Sequence, residues 1–304
     1  MFRQKPLSVI IPSRNQSHAL KLCLEAFQKQ TVLPREILVI DNNSNDSTKD
    51  LVYSFTKKLP VRYFLEKGPG PSFARNRGIS ESKGEILAFI DSDCLPANNW
   101  VENIYQAYKI TQESIIQGAW VNVLSNQSLP STFYFLTLEI YRTSLLARPS
   151  TKSVSFIDTK NFFVPKKILL KEKLLFDQTL PIYAEDVDFG LQAIHKNIPI
   201  VYDPEIKVRH LAEKGWHGFF RSSFGVGKAK KLLEKKWKLE EKREKKLDDT
   251  YLRSWVKQRN YFISLKQDEI VKSISLEKNI LFPFLLKSGL KLGKLACWLG
   301  QQSG

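Results

Sequence analysis

Gly84–Pro96 reads GEILAFIDSDCLP. An apolar run with strand character ends directly in Asp91-Ser92-Asp93. In a strand, residues i and i+2 project to the same side, so Asp91 and Asp93 present two carboxylates together. The carboxyl end of a buried strand is where α/β sheets bind ligands. Such a pair can hold one hard divalent cation, or a cation and a ribose. Mg2+ and Mn2+ take oxygen ligands and are often shared with phosphates. Taken alone, an Asp-rich turn that caps a helix explains the same residues.

Other polar residues gather at similar points. LSVIIP runs into Ser13-Arg14-Asn15, and EILVI runs into Asp41-Asn42-Asn43-Ser44-Asn45-Asp46. In a parallel sheet these three strand ends converge on one rim. Gly68-Pro69-Gly70-Pro71 forms a rigid turn that opens a helix, whose N-terminus favours anions. Arg75 and Arg77 follow, with charge suited to phosphate oxygens. The chain has no G-x-x-x-x-G-K-[ST] loop and no G-x-G-x-x-G after its first strand. Further on, Ala184-Glu185-Asp186-Val187-Asp188-Phe189 opens a helix. Acids in a first turn complement the helix dipole. Glu185 and Asp186 leave that turn in different directions, and a carboxylate at a pocket rim can act as a general base. His210 closes IKVRH. Beside an Asp-x-Asp site it is a candidate third metal ligand.

The elements that must position these residues follow from pattern. Strands are expected at Leu7–Pro12, Glu36–Ile40, Val61–Leu65, Glu85–Ile90, Ile115–Val123 and Phe156–Val164. Extended chain is expected at Pro199–Tyr202 and Ile206–His210. Helices are expected at Ala19–Gln30, Ser72–Ser82, Val101–Tyr108, Phe133–Leu146 and Ala184–His195. Strand–helix alternation with near-continuous apolar strands predicts an α/β fold with a mostly parallel central sheet flanked by helices. The 304 residues, 42% hydrophobic, suffice for a real core and exclude a disordered chain. Three scattered cysteines, Cys23, Cys94 and Cys297, do not form a secreted disulfide framework. No signal peptide is expected from the short, polar opening residues, and no run of 18 apolar residues interrupts the sequence.

Together these segments resemble family 2 glycosyltransferases, inverting enzymes with the GT-A fold. The matching pieces are LSVIIPSRN, EILVIDNNSNDST, GPSFARNRGI, GEILAFIDSDCLP, LLFDQTLPIYAEDVDFGLQA and VYDPEIKVRH, in that order. The resemblance implies a hexosyltransferase with a nucleotide-sugar donor, a UDP-sugar first, and a glycan or lipid-linked acceptor. It implies that Pro12, Ser13 and Asn15 border the nucleotide and that Asp41 binds its base. Arg75 would lie near the base and diphosphate, and Asp91 at the ribose. Ser92 lies between the two aspartates of this donor-binding motif. Asp93 would ligate Mn2+ or Mg2+, with Asp91 as a further possible ligand, and His210 matches a histidine that ligates the metal in some branches. Asp186 would be the catalytic base, with Glu185 beside it for the acceptor. Asn161 matches a position before the acceptor site. Ala184 replaces a frequent glycine and Gln192 a frequent arginine. The Q-x-x-R-W motif of processive members is absent, so transfer of one sugar is expected.

Lys plus Arg exceeds Asp plus Glu by 16, which points to anionic partners. Half of that excess lies between Lys207 and Asp248, where fourteen basic residues face six acids. Residues 1–220 are expected to form the catalytic domain and 221–304 a basic helical region. In Ile280–Gly300, Lys287, Lys291 and Lys294 form a stripe on an otherwise apolar helix, with Trp298 near its edge. The pattern predicts a cytoplasmic enzyme held peripherally on the inner face of the membrane through anionic lipid. A nucleotidyltransferase is the alternative enzyme. A basic nucleic-acid- or membrane-binding protein with a degenerate site is the alternative binding module. No nucleic-acid motif appears, so no nucleic-acid partner is expected.

Overall fold

A computed structural model describes residues 6–124 and 156–244, with isolated positions between them and after them (128, 130–132, 134, 135, 138, 139, 154, 295, 296, 299 and 302). The chain forms two compact units. One comprises Met1–Val121, Thr151–Leu180 and Glu185–Leu211, and the other Asn122–Ser150, Pro181–Ala184 and Ala212–Gly304.

The first unit is built on the strands β1 (Leu7–Ser13), β2 (Glu36–Asp41), β3 (Val61–Leu65), β4 (Ile86–Ile90), β5 (Cys94–Pro96), β6 (Ile115–Val123), β7 (Asn161–Pro165) and β8 (Ile200–Leu211). They form one eight-stranded sheet in the order β3-β2-β1-β4-β7-β6-β8-β5. The first four pair in parallel. Every residue of β2 and β4 is buried, as strands covered on both faces require. Beyond β4 the pairing turns antiparallel, in β4–β7, β7–β6 and β5–β8. The sheet is therefore mixed: the parallel expectation holds for the half that carries the three polar strand ends. The two extended runs after Pro199 are one strand, β8. The short strand β5 carried no sequence signal of its own.

Five helices belong to this unit: α1 (Ser17–Gln28), α2 (Thr48–Phe55), α3 (Pro71–Glu81), α4 (Trp100–Ile110) and α5 (Lys166–Glu172). A sixth, α6 (Glu185–His195), completes it. In α1 the buried residues are Leu20, Cys23, Leu24 and Phe27, one stripe at helical spacing. α3 starts as its sequence predicts: Pro71 takes the first turn, and Gly70 before it has φ +100°, a value that glycine adopts without strain. Gly78 lets α3 lie close on β1, because a Cβ there would meet Ile10 Cγ2 at 2.4 Å. Below the sheet's rim, Phe89 stacks on Phe162 at 4.5 Å and Phe176 on Phe189 at 4.4 Å.

In the second unit, α7 spans Trp216–Glu244. The boundary expected between 220 and 221 falls inside this helix. The basic composition rises only after the helix has begun. Most of the helix expected at Phe133–Leu146, and the Lys-striped segment Ile280–Gly300 apart from three positions, lie outside the described residues.

Asn161 is a structural knot. Its Nδ2 donates to the carbonyls of Ala119 and Ile206, both at 2.7 Å, and its Oδ1 accepts from Trp100 Nε1 at 2.9 Å. It is 1% exposed, with its amide spent on β6, β8 and α4. Asn161→Ala leaves three buried polar groups without partners, and a loss of about 2–4 kcal/mol in urea unfolding is expected. A loss below about 1 kcal/mol would show that the knot is dispensable.

Candidate active site

The parallel strands deliver their polar ends to one rim, as expected. The loops after β1 and β2 are sewn together there. Asn15 N donates to Ser44 Oγ at 2.9 Å, and Asn15 Oδ1 accepts from Asn45 N at 2.8 Å. Pro12 and Ser13 stand at the end of β1, where Ser13 is paired with Asp41. The Ser13 hydroxyl is buried with no partner among the described residues. Asp41 is only 2% exposed, and its oxygens accept from Ser44 N (2.9 Å) and Tyr63 Oη (2.7 Å). Through these bonds Asp41 shapes the loop that carries Ser44. Asn42 performs a parallel task, donating to the Gly68 carbonyl at 2.6 Å and accepting from Gly70 N at 3.0 Å.

The centre of the site is Arg75. Its guanidinium is 4% exposed, and it donates to Glu185 Oε1 (3.0 Å), Asp91 Oδ1 (3.0 Å) and Thr159 Oγ1 (2.8 Å). Its Cζ lies 5.4 Å from the centre of the Phe176 ring. Burial alone would lower its proton affinity, but Asp91 and Glu185 outweigh burial and raise it. Arg75 therefore touches carboxylates from β4's end and from α6. Arg77, grouped with it in sequence, instead pairs with Glu81 at 2.8 Å on the outer face of α3.

Asp91 is held above its ordinary range by burial, with Asp93 adding to the rise and Arg75 opposing it. The Ser92 hydroxyl is 1% exposed and donates to Gln16 Oε1. Ser92 thus ties the end of β4 to Gln16, just after β1. Asp93 and His210 meet because Cys94 is in register with His210 across the antiparallel β5–β8 pair. Asp93 Oδ2 lies 3.7 Å from His210 Nε2. A carboxylate and an imidazole at this separation suit a divalent cation of the Mn2+ or Mg2+ kind. Among the described residues no group of three such donors is assembled. The fit is therefore to a cation that shares two protein ligands with phosphate oxygens and water. Asp91 is less suited to this, since one oxygen is committed to Arg75.

Asp186 follows Glu185 in the first turn of α6. Its Oδ1 accepts from Val187 N at 2.8 Å. Burial, reinforced by Glu185 and Asp158 and partly offset by Lys160, pushes Asp186 up to about 7. Asp158 is buried, and its Oδ2 pairs with Lys160 Nζ at 2.7 Å. Asp158, Thr159 and Lys160 belong to the site, and sequence reasoning missed them. They precede β7, whose antiparallel pairing sets Asn161 opposite Ile90 and so brings this loop to Asp91.

Residues 8–171 match the profile of glycosyl transferase family 2. This chain belongs to that family. It is similar to glycosyltransferase AglE of Haloferax volcanii, 41% identical over 117 residues, 37% of this chain and 38% of AglE. The match thus spans less than two thirds of that relative. A longer match, 24% identical over 240 residues, covers 76% of this chain and 74% of a dolichyl N-acetyl-alpha-D-glucosaminyl phosphate 3-beta-D-2,3-diacetamido-2,3-dideoxy-beta-D-glucuronosyltransferase of Methanococcus voltae. The fold is similar to that of the mannosyltransferase PcManGT of Pyrobaculum calidifontis, solved with GDP-Man and Mn2+. The TM-score is 0.62 at 16% identity, covering 99% of this chain and 85% of that one. The family 2 chain therefore has the GT-A fold expected of it.

The raised proton affinity of Asp186 has a stability consequence. The folded state favours its protonated form, so its cost is absent below the unfolded pKa of about 4 and complete above about 7. Asp186→Asn should match the wild type near pH 4 and melt about 3 °C higher, or more, near pH 8. A melting difference that does not grow with pH would show that Asp186 is not held protonated.

Proposed function

We propose that this family 2 chain transfers one sugar from a nucleotide-sugar donor to an acceptor hydroxyl, inverting the anomeric carbon in a single displacement. The observation that carries the proposal is the Arg75 bridge. One buried cation joins Asp91, on the strand that ends in Asp-x-Asp, to Glu185, the neighbour of a carboxylate poised near pH 7.

The work divides among the residues as follows. The Asn15–Ser44 junction, with Pro12 and Ser13, borders the nucleotide, and Asp41 holds that loop in shape. Asp91, steadied by Arg75, accepts from the ribose. Asp93 and His210 would hold the Mn2+ or Mg2+ cation, which when bound neutralises charge gathering on the leaving nucleoside diphosphate. Asp186 removes the acceptor's proton as its oxygen attacks from the face opposite the diphosphate. Glu185, fixed by Arg75, orients the acceptor. No covalent enzyme intermediate is required.

A UDP-sugar is the proposed donor. The proposed acceptor is a lipid-linked saccharide, supported by the dolichyl phosphate in the name of the Methanococcus voltae relative. No helix among the described residues is long and apolar enough to cross a membrane. A lipid-linked acceptor would then be met at the surface, and we assign the enzyme to the inner face of the cell membrane. The sheet-bearing unit does the chemistry, and the basic remainder serves the membrane.

Kinetics test this division. Asp186→Asn should lower kcat by about 10²–10⁴-fold with little change in donor KM. For the wild type, log kcat/KM should rise with pH and level off above about 7, the value of Asp186. Lys160→Met removes the cation that favours the ionised base, so the acid limb should move to higher pH. A near-normal kcat in Asp186→Asn, or an unmoved limb in Lys160→Met, would contradict the assignment.

A further inference from the structure

Helix α7 carries a surface that catalysis does not explain. From Trp216 to Trp237 its exposed positions are Trp216, His217, Arg221, Phe224, Lys228, Lys231 and Lys235. None is acidic. At about 100° per residue, all but Trp216 fall within an arc of roughly 80°. Of the buried residues, Phe219, Ser222, Ala229, Leu233 and Trp237 lie on the opposite side, and Gly227 flanks the stripe. Arg221, Lys228, Lys231 and Lys235 make the stripe cationic. Two exposed aromatics accompany them: Trp216, 42% exposed and outside the arc, and Phe224, 39% exposed and between Arg221 and Lys228. The Trp216 ring stacks on Phe220 with centroids 5.9 Å apart.

We propose that this stripe docks the protein on an anionic bilayer surface, Trp216 and Phe224 entering the interface and the four cations facing lipid phosphates. This rests on the proposal that the chain works at a membrane, and it names the surface used. Charge complementarity selects the occupant. The stripe is positive along about four turns, from Arg221 to Lys235, and an anionic bilayer is an extended negative plane. The exposed Trp216 and Phe224, both in the first half of the helix, suit the boundary between headgroups and acyl chains. The surface also differs from the Lys-striped segment at Ile280–Gly300, so the two are separable by mutation.

The test is flotation of the full chain with vesicles of phosphatidylcholine alone and of phosphatidylcholine with phosphatidylglycerol. The wild type should float only with the anionic vesicles. A variant with Arg221→Gln, Lys228→Gln, Lys231→Gln and Lys235→Gln should bind them on the order of a thousandfold more weakly. Trp216→Ser with Phe224→Ser should weaken binding while leaving its salt dependence in place. Replacing the three lysines by arginine should preserve binding. An unchanged melting temperature in each variant shows that the fold is kept. If the wild type floats and the four-Gln variant floats equally, the stripe is overturned while membrane attachment stands. If the wild type does not float, both are overturned. Binding to duplex DNA as tight as to anionic vesicles, lost in the same variant, would overturn the bilayer as the occupant.

Discussion

A single buried guanidinium sets the terms for the rest of the site. Arg75 lies almost out of solvent, between Asp91 and Glu185. A buried charge without partners costs several kcal/mol, so the fold must bring both carboxylates to it. That demand explains several details of packing. Gly78 lets α3 lie close against β1. Phe176 offers its ring face to the guanidinium, and Phe176 in turn stacks on Phe189 of α6. Thr159 reaches the same nitrogen from the loop before β7. Three segments far apart in sequence are fixed to one another by one side chain.

The same arrangement prepares Asp186, the proposed base. Glu185 and Asp158 surround Asp186 with negative charge, and burial adds to their effect. The ion pairs through Arg75 and Lys160 hold those neighbours in place. A carboxylate with a proton affinity near neutrality is a costly thing to fold around, and a useful one for taking a proton from a hydroxyl. The site is thus a place where local stability is given up for chemistry.

Much of this was legible in the sequence. The apolar runs before Ser13, Asp41 and Asp91 read as buried strands because they alternate with helical periods, and their polar ends marked the rim. Asp186, Glu185 and His210 stood out by residue type next to an Asp-x-Asp pair. The unread part has a common cause. Asp158, Thr159 and Lys160 fall inside the strand expected at Phe156–Val164, but the strand starts only at Asn161, and Thr159 is 84 positions from Arg75. Only the antiparallel β4–β7 pairing brings them in, and strand order is not written in local pattern. Burial was equally hidden. Ser92, Asp41 and Asn161 have the chemistry of ligand-binding residues, but each turns its polar atoms inward to join strands or loops. Arg77 shares its segment with Arg75 but faces outward, because two positions along a helix is a turn of about 200°.

The most direct test of this account is a double-mutant cycle on Asp91→Asn and Glu185→Gln, read by urea unfolding. If Arg75 depends on both carboxylates, losing the second costs more once the first is gone. The double variant should then be less stable than the sum of the singles by about 1 kcal/mol or more. Additivity within about 0.5 kcal/mol would contradict the account, because it would mean that the two carboxylates do not share one buried cation.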